Sequence, residues 1–339
     1  MCGIGGGIGR QDGGGEVAER MRQMLHHRGP DGYGIRSLPS ATLVHTRLSI
    51  IDLSESGAQP MANKTGTVWS VFNGEIYNHR ELRRDLEQKG HHFQGHSDSE
   101  IIPHLYEELG AGFVEQLRGM FAIAIYDAPA QTLILARDRF GIKPLFYAPM
   151  KTQLAFASEL RALRCVKGID ASPNRQAVYD YTALFFIPAP ETFYRGIRAL
   201  QAGEILEARL DGSEVVWKTR QYWKGGTAPD QSLSLSEAVN QAERLITAAV
   251  QRQLESDVPL ATLLSGGIDS SLISTAAQEY LKGQLRTFNV RFADRTYDET
   301  WAALAVAKCI GSHHVTLSMA DSHGTWKHIT DLLRQAGQP

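Results

Sequence analysis

The second residue of this chain is a cysteine whose position gives it two reactive groups. Removal of Met1 makes Cys2 the N-terminal residue, so that a thiol and a free α-amino group belong to one residue. A free thiol titrates near ~8.5 and an α-amino group near ~7.7 to 8.0, so the amine can act as the base for the thiol close to neutral pH. Cys2 is therefore a candidate nucleophile, the alternative being a small residue with no role.

A second candidate for chemistry is the string LLSGGIDSS at residues 263–271. It follows an apolar strand pattern and precedes a helical pattern, the context in which backbone N–H groups and a helix N-terminus bind phosphate. No lysine follows the glycines, so the string differs from the Gly-Lys-Ser/Thr phosphate loop. Gly266 and Gly267 allow close approach to an anion, and Asp269 can hold a cation that bridges phosphates. The hydroxyl donors are Ser265, Ser270 and Ser271. The alternative is an ordinary glycine turn that caps a helix.

Length and composition limit the class of protein. A chain of 339 residues with 42% hydrophobic and 21% charged residues is expected to form two globular domains. The formal net charge of -2 gives no indication of a nucleic-acid or anionic-membrane partner. Three cysteines, an odd number, argue against a disulfide framework. Neither a membrane-spanning apolar run nor an apolar leader at MCGIGGGIGR is present in the sequence, so a cytoplasmic location is expected.

The order of apolar patterns divides the chain. In the first ~200 residues, short β-type runs such as GMFAIAIYD and QTLILARDR are joined by turns, with few helical segments between them, which predicts an antiparallel α+β domain. From residue 235 onward, strand and helix patterns alternate, which predicts a parallel sheet. We expect a first domain at 2–205, a linker at 206–235 and a second, incomplete domain at 236–339, because three strands are too few for a complete open sheet.

An ordered set of strings carries a family resemblance. The set comprises MCGI, HHRGPDG, HTRLSIID, FNGEIYN, HSDSE and LARDRFGIKPLFY, followed by LLSGGIDSS. Together they resemble the class II glutamine amidotransferase domain and the ATP-pyrophosphatase loop of glutamine-dependent asparagine synthetases. The resemblance implies an N-terminal-nucleophile αββα sandwich, followed by part of an α/β parallel-sheet ATP-pyrophosphatase domain.

The resemblance also implies roles in glutamine hydrolysis. Cys2 would attack the amide while its α-amine passes the proton to the leaving ammonia, and Asn73 and Gly74 would donate to the oxyanion. Arg47 would bind the α-carboxylate of glutamine through two donors. Asp98 and Glu75 would accept from the α-ammonium, and the expected glutamine-binding set is Arg47, Leu48, Ile50, Ile51, Asn73, Gly74, Glu75 and Asp98. The alternatives are a surface ion pair for Arg47, a helix cap for Asp98 and a turn residue for Glu75.

For the second domain, the resemblance implies a site for ATP with Mg²⁺. The expected ATP-binding residues are Leu263, Ser265, Gly266, Gly267, Asp269, Ser270, Ser271 and Val290. Leu263 and Val290 match the adenine contacts of the family, the alternative being plain core residues. Asp269 is the expected ligand of the magnesium ion.

Two further clusters are assigned no catalytic role. Arg137, Asp138 and Arg139 are interpreted as an internal ion network. The adjacent histidine pairs have no metal-ligand spacing with cysteine and are interpreted as surface or loop residues. These pairs are His26-His27, His91-His92 and His313-His314.

The implied function is that of a glutamine-hydrolysing asparagine synthetase. Ammonia from glutamine would reach adenylated aspartate through an apolar passage, giving asparagine, AMP and pyrophosphate. The expected partners are glutamine, aspartate and ATP, with no nucleic acid and no membrane, and a homodimer is a further possibility. Relatives continue past this length, so the aspartate site is not located and the chain is expected to be a fragment or a truncated gene product.

Other functions compete with this one. The acceptor could be another carboxylate, such as a sugar or peptide precursor. A β-lactam-forming relative is disfavoured by the presence of Cys2, Arg47, Asn73 and Asp98 together, and a phosphosugar amidotransferase is excluded by the SGGIDS loop. A truncated glutaminase that performs no synthesis, or a non-catalytic binding protein, remains an alternative from a different class.

Overall fold

A computed structural model describes residues 1–9, 14–226, 232–292, 294 and 296–318. These residues form two compact units, one that runs from Met1 to Gly226 and one that follows it. The expected chain end at 319–339 and the middle of the expected linker, 227–231, lie outside the described residues.

The first unit contains two six-stranded sheets in which every described strand pair is antiparallel. Its strands are β1 (Gly3–Gly9), β2 (Gly32–Ser37), β3 (Ala41–Arg47), β4 (Met61–Ala62), β5 (Val68–Ile76), β6 (Gly119–Asp127), β7 (Thr132–Arg137), β8 (Phe146–Pro149), β9 (Gln153–Ala157), β10 (Arg198–Ala199), β11 (Glu204–Asp211) and β12 (Glu214–Gln221). The strand orders are β10-β8-β9-β1-β3-β2 and β12-β11-β7-β6-β5-β4.

Five α-helices are present among the described residues of the first unit. They are α1 (Gly14–Leu25), α2 (His79–Gln88), α3 (Ile101–Leu109), α4 (Leu160–Leu163) and α5 (Arg175–Leu184). Leu25 of α1 and Leu160 of α4 pack on one sheet, while Leu86 of α2 and Ile101 of α3 pack on the other. The helices therefore cover the outer faces of the two sheets, because each sheet has an apolar outer face that must be removed from water.

The main core lies between the two sheets. Ile4 and Ile8 of β1 and Leu43 of β3 pack there against Val71 of β5 and Ala124 of β6. Successive side chains of a strand point to opposite faces, so residues of β5 that share the parity of Val71 face the other sheet. The order of layers is helix, sheet, sheet, helix, which confirms the predicted αββα sandwich.

The predicted linker at 206–235 is wrong for its first part. Residues 204–221 form the hairpin of β11 and β12, and β11 pairs with β7 along the edge of the second sheet. Ile205, Leu206 and Ala208 are buried in the cores on the two faces of this sheet. Short alternating segments next to a polar stretch do not show whether a hairpin joins a sheet, because the partner strand is distant in sequence.

The second unit contains strand and helix in alternation. Its elements are α6 (Leu235–Arg252), β13 (Ala261–Leu263), α7 (Ile268–Tyr280), β14 (Arg286–Arg291), α8 (Thr300–Ile310) and β15 (His313–Ser318). The described strands pair in parallel in the order β13-β14-β15. Ser234 and Glu237 form a reciprocal cap that fixes the start of α6. The predicted parallel α/β arrangement is confirmed for the described residues.

Candidate functional site

Cys2 lies immediately before β1, at a position fixed by the pairing of β1 with β3. Its Sγ accepts a hydrogen bond from Leu48 N at 3.4 Å and donates to Leu48 O at 3.7 Å. Arg28 Nε donates to the carbonyl of Cys2 at 3.0 Å, and Arg28 Nη1 pairs with Glu159 at 2.9 Å. Burial raises the pKa of the Cys2 thiol, so a base is needed to generate the thiolate near neutral pH. Met1 still precedes Cys2 here, and cleavage of that bond frees the α-amine.

The side chain of Asn73 lies on the face of β5 that points to the other sheet, as does that of Val71. It is 1% exposed, and neither its Nδ2 nor its Oδ1 has a hydrogen-bond partner among the described residues. A buried amide left in this state costs about 1–3 kcal/mol. Asn73 lines the same cavity as Cys2, so a ligand in that cavity can supply the missing partner.

The N–H groups of Phe72, Gly74 and Ile76 point to the same edge of β5, because the residues are two apart along the strand. Gly74 pairs with Phe121 of β6, but the N–H of Phe121 donates to Asp138 Oδ2 and its carbonyl accepts from Asp138 N. The backbone groups of Gly74 and Phe121 therefore point away from each other, so this edge of β5 faces away from β6. Along it, Phe72 N donates to Gln59 Oε1 and Ile76 N donates to Asp98 Oδ2.

Between these two bonded groups, the Gly74 N–H makes no hydrogen bond at the edge with any residue that the structure describes. The position also requires glycine, because a Cβ would lie 2.0 Å from the carbonyl oxygen of Met120. Gly74 lines the cavity together with Asn73. A backbone donor and a side-chain amide donor are therefore adjacent in sequence and open to one cavity.

Arg47 ends β3, where the chain leaves the sheet for a turn. Its Nη1 donates to Ser54 O at 2.8 Å, and its Nη2 donates to Asp52 O. Among the described residues these partners are carbonyl oxygens, so the ion-pair alternative for Arg47 is not what the structure contains. The strand stops at Arg47, and Asp52 takes a left-handed φ of 56°.

Asp52 ties this turn to the segment that carries Asp98. Its carboxylate accepts from Ser54 N, from the Ser54 and Ser56 hydroxyls, and from His96 N. Burial opposes ionisation, but these hydrogen bonds together outweigh it and lower the pKa of Asp52. Asp52 is not among the residues predicted from the sequence for this site.

Asp98 is buried, 5% exposed, and accepts from Ile76 N at 2.8 Å. Burial, with a smaller contribution from the neighbouring Glu75 carboxylate, raises the pKa of Asp98 to about 7. Burial also raises the pKa of Glu75, although the nearby Lys143 opposes this. The helix-cap alternative for Asp98 is wrong, because Ser97 is the residue that caps the following turn, through Ser99 N. Two carboxyl groups therefore share one cavity wall.

Lys143 faces these carboxyl groups and was missed by the sequence analysis. It is 6% exposed, and burial lowers the pKa of its ammonium while Glu75 and Asp138 oppose that shift. A lysine inside a loop string carries no sequence signal of burial, so only the fold shows that it reaches the cavity.

The loop that carries Lys143 is held by charged side chains bonded to backbone. Arg137 donates to the carbonyls of Lys143, Leu200 and Gly141. Asp138 accepts from the N–H groups of Phe121, Phe140, Ile142 and Lys143. Arg139 donates to Glu115 O. The interpretation of Arg137, Asp138 and Arg139 as an ion network is therefore wrong in detail, since their partners here are peptide groups.

One cavity of about 80 Å³ joins these features. Every residue predicted for catalysis or glutamine binding lines it, namely Cys2, Arg47, Leu48, Ile50, Ile51, Asn73, Gly74, Glu75 and Asp98. The remaining lining residues are Met1, Gly57, Gln59, Phe72, Ser97, Ser99 and Lys143. The cavity thus combines a thiol, two amide-type donors, two cationic side chains and two carboxyl groups.

In the second unit, the loop between β13 and α7 is organised by serine hydroxyls. Ser265 Oγ lies 3.0 Å from Ser270 Oγ and accepts from Gly267 N at 3.2 Å, and Ser271 Oγ donates to Gly267 O at 2.7 Å. Gly266 has a φ of +87°, and a Cβ there would lie 2.5 Å from Ala302. The glycine is thus required by its conformation and by the approach of α8.

A cavity of about 310 Å³ adjoins this loop. It is lined by Leu263, Leu264, Ser265, Phe288, Asn289, Val290, Phe292, Tyr297 and Glu299. Leu263 is 80% exposed and Val290 42% exposed, so neither is a core residue of the described part of this unit. Gly267, Asp269, Ser270 and Ser271 lie at the N-terminal end of α7, where open N–H groups and the helix dipole favour an anion. The Asp269 carboxylate is exposed and is of the ligand type that Mg²⁺ prefers.

Comparison with known proteins agrees with this arrangement. A family model described as a glutamine amidotransferase domain matches residues 1–223, and one described as asparagine synthase matches residues 241–338. A two-sheet sandwich with Cys2 at its cavity is thus followed along the chain by a parallel α/β unit. The chain belongs to the glutamine-dependent asparagine synthetase family.

Three curated relatives show the range of the similarity. Asparagine synthetase [glutamine-hydrolyzing] 1 of Bacillus subtilis is 36% identical over 89% of this chain and 46% of its own length. A putative asparagine synthetase of Methanocaldococcus jannaschii is 34% identical over 88% of this chain and 61% of its own length. Amidase chyE of Penicillium rubens is 33% identical over 86% of this chain and 45% of its own length. The chain therefore spans about half the length of the curated relatives that it matches. Among its described helices, none is long and apolar enough to cross a membrane.

Proposed function

We propose that the first unit hydrolyses glutamine to glutamate and ammonia, with Cys2 as the nucleophile. The observation that carries this proposal is the convergence of all residues predicted for that reaction on one cavity wall. They come from separate segments of the chain, so their convergence depends on the pairing of β1 with β3 and of β5 with β6. A set of unrelated surface residues would not share one small cavity.

The charged side chains that line the cavity suit the amino-acid end of glutamine. Arg47 offers a planar cation to the α-carboxylate. Asp98 and Glu75 offer acceptors to the α-ammonium, and the positive charge of that ammonium favours the ionised form of Asp98. Lys143 balances the carboxyl groups from the other side.

The chemical steps follow from the donors around Cys2. After Met1 is removed, the α-amine takes the thiol proton and Sγ attacks the side-chain amide carbon of glutamine. The developing oxyanion accepts from Asn73 Nδ2 and from the Gly74 N–H, cavity donors that have no hydrogen-bond partner among the described residues. Collapse breaks the C–N bond, the ammonium of Cys2 returns its proton to the leaving ammonia, and water hydrolyses the resulting thioester to glutamate.

For the second unit we infer ATP binding. The wall formed by Leu263 and Val290 would take the adenine ring, and the N-terminal end of α7 would take the phosphates. Asp269 would hold Mg²⁺, which neutralises phosphate charge when bound. Aspartate is the proposed acceptor, adenylated on its side-chain carboxylate and then amidated. The similarity to amidase chyE supports a second candidate, another carboxylate acceptor in the same reaction.

Glutaminase activity is tested with protein whose Met1 removal has been verified by intact mass. We expect glutamate release from glutamine, its loss in Cys2→Ala, and its retention in the matched variant Cys165→Ala, which alters another half-buried thiol. Equal activity of Cys2→Ala and the parent protein would refute the assignment. Absence of activity in the parent protein would favour a binding protein.

The acceptor is tested separately, with the chain supplied with ammonium, ATP, Mg²⁺ and a panel of carboxylates. Formation of AMP and pyrophosphate with aspartate supports asparagine synthesis, whereas formation with a different carboxylate supports the second candidate. The use of ammonium makes this test independent of Cys2.

A further inference from the structure

A cluster of two histidines and a glutamate lies beside the segment that leads to Asp98. His91 follows α2, and His104 and Glu107 lie on α3, with one nitrogen or oxygen of each within 4.8 Å of the others. His91 Nδ1 is 3.0 Å from His104 Nδ1, and His104 Nδ1 is 3.7 Å from Glu107 Oε2. His91 lies in the loop after α2, as interpreted from the sequence, and is half-buried, whereas His104 is buried.

Neighbouring side chains orient two of these three groups. Glu108 Oε1 lies 3.1 Å from His91 Nε2, and Lys89 pairs with the other oxygen of Glu108 at 2.9 Å. A carboxylate on Nε2 keeps the proton on that nitrogen and leaves the lone pair on Nδ1, directed at His104. Asn63 Nδ2 donates to Glu107 Oε1 at 2.7 Å, which leaves Oε2 on the side of the histidines.

The separations suit a small divalent ion with nitrogen and oxygen ligands. Zinc–nitrogen bonds of about 2.0–2.1 Å at a tetrahedral centre place neighbouring ligand atoms about 3.3 Å apart. Two imidazoles and a carboxylate are also a common zinc ligand set, with the remaining position open to water. The His91–His104 distance is within a few tenths of an ångström of that value, and Glu107 Oε2 lies 3.7 Å from His104 Nδ1, close to the same value.

We propose that His91, His104 and Glu107 form a zinc-binding site, with Glu108 and Asn63 as the residues that orient its ligands. The ion would link His91, in the loop after α2, to His104 and Glu107 on α3. Residues 92–100 lie between these two attachment points. That stretch contains Asp98, so the bound ion would stabilise the support of the cavity wall. This proposal stands on the cluster alone and does not depend on glutamine hydrolysis.

The site is tested by titrating Co²⁺ and then Zn²⁺ into the Cys2→Ala chain, which removes one competing thiol. We expect stoichiometric Co²⁺ binding with the visible absorption of a tetrahedral centre, its displacement by Zn²⁺, and a rise in the thermal unfolding temperature with Zn²⁺. Saturation without tetrahedral absorption, or no stoichiometric binding, would overturn the proposal.

Variants separate the ligands from their surroundings. His91→Gln and Glu107→Gln should each abolish the absorption and the thermal shift, and Glu108→Gln should weaken binding by about 10–100-fold. His92→Ala, which removes the adjacent exposed histidine, should match the parent. Equal binding by His91→Gln and His92→Ala would place the ion elsewhere and refute the site.

Discussion

The two units build their candidate sites in contrasting ways. In the first unit, Cys2, Arg47, Asn73 and Asp98 are far apart in sequence and meet only because strands from both sheets and the loops between them converge. In the second unit, most of the expected phosphate-binding residues belong to the single segment 263–271, and a local strand–turn–helix arrangement places them.

The sites also differ in their contact with water. Asn73 and Asp98 are 1% and 5% exposed, whereas Leu263 is 80% exposed and Asp269 is exposed. Buried polar groups interact strongly with each other and with a ligand, because water screens them little. Single substitutions in the first site should therefore have large effects. The second site, where several adjacent groups share the same task, should respond in smaller steps.

After Cys2→Ala, the largest effect is expected for Asn73→Ala. Loss of one oxyanion donor lowers kcat for glutamine hydrolysis by about 10²–10³-fold. Because the buried Asn73 amide has no hydrogen-bond partner among the described residues, its removal breaks no hydrogen bond there and should not lower the thermal unfolding temperature. Steady-state glutaminase kinetics and thermal unfolding measure the two quantities, and parallel loss of both would mean a structural role only.

Glycine substitutions compare the units directly. Gly74→Ala places a Cβ 2.0 Å from Met120 O and should destabilise the first unit by about 1–3 kcal/mol. Gly267→Ala meets only the Ser265 hydroxyl, at 3.3 Å, and should change the stability of the second unit by less than about 0.5 kcal/mol. Urea unfolding of the whole chain, monitored separately in each unit by limited proteolysis, gives the change in unfolding free energy for both variants. Equal changes would contradict the difference between the two units.

The pH dependence of glutamine binding tests the burial of Asp98. Its pKa is raised to about 7, so the carboxyl group is protonated in acid and cannot pair with the α-ammonium. In the Cys2→Ala chain, which binds without reacting, glutamine affinity should fall about tenfold per pH unit below pH 7. Calorimetric titration between pH 5 and 8 measures it, and Asp98→Asn should bind weakly and without this slope. A flat profile in the parent would exclude Asp98 as the titrating acceptor.

Burial of the Asp98 carboxyl group gives protein stability a pH dependence opposite to that of glutamine affinity. The folded state retains the Asp98 proton to a higher pH than the unfolded state, so the contribution of Asp98 to stability decreases as pH rises from about 4 through about 7. Asp98→Asn should therefore stabilise the protein relative to the parent at pH 8 more than at pH 5. Thermal unfolding at the two pH values provides the comparison.

The smallest effect is expected for Ser265→Ala. The Ser265 hydroxyl is one of several donors near the start of α7 and also accepts from Gly267 N. Its loss should weaken ATP binding about fivefold, which corresponds to one ordinary hydrogen bond. Thr275→Ala, which removes an exposed hydroxyl further along α7, is the matched control and should leave ATP affinity unchanged.

A feature could be predicted from the sequence when the residues that determine it lie close together along the chain. The fold class and the participants in the glutamine cavity could be proposed from ordered strings and the resemblance they carry. The linker could not be placed, because a hairpin such as β11–β12 joins a sheet only through a strand some seventy residues earlier. Lys143 and Asp52 were missed because burial of a charged side chain leaves no local pattern.

The amino-acid sequence by itself determined the alternation of strand and helix around the SGGIDS loop, since turn chemistry and apolar periodicity act over a few residues. It also supplied Cys2 as a chemically distinctive terminus. Only the tertiary structure decided that the N–H of Gly74 stays open between two bonded neighbours, that Asp98 is desolvated, and that His91 meets His104. These features depend on strand register and on packing between distant segments, where desolvation and close contact arise together.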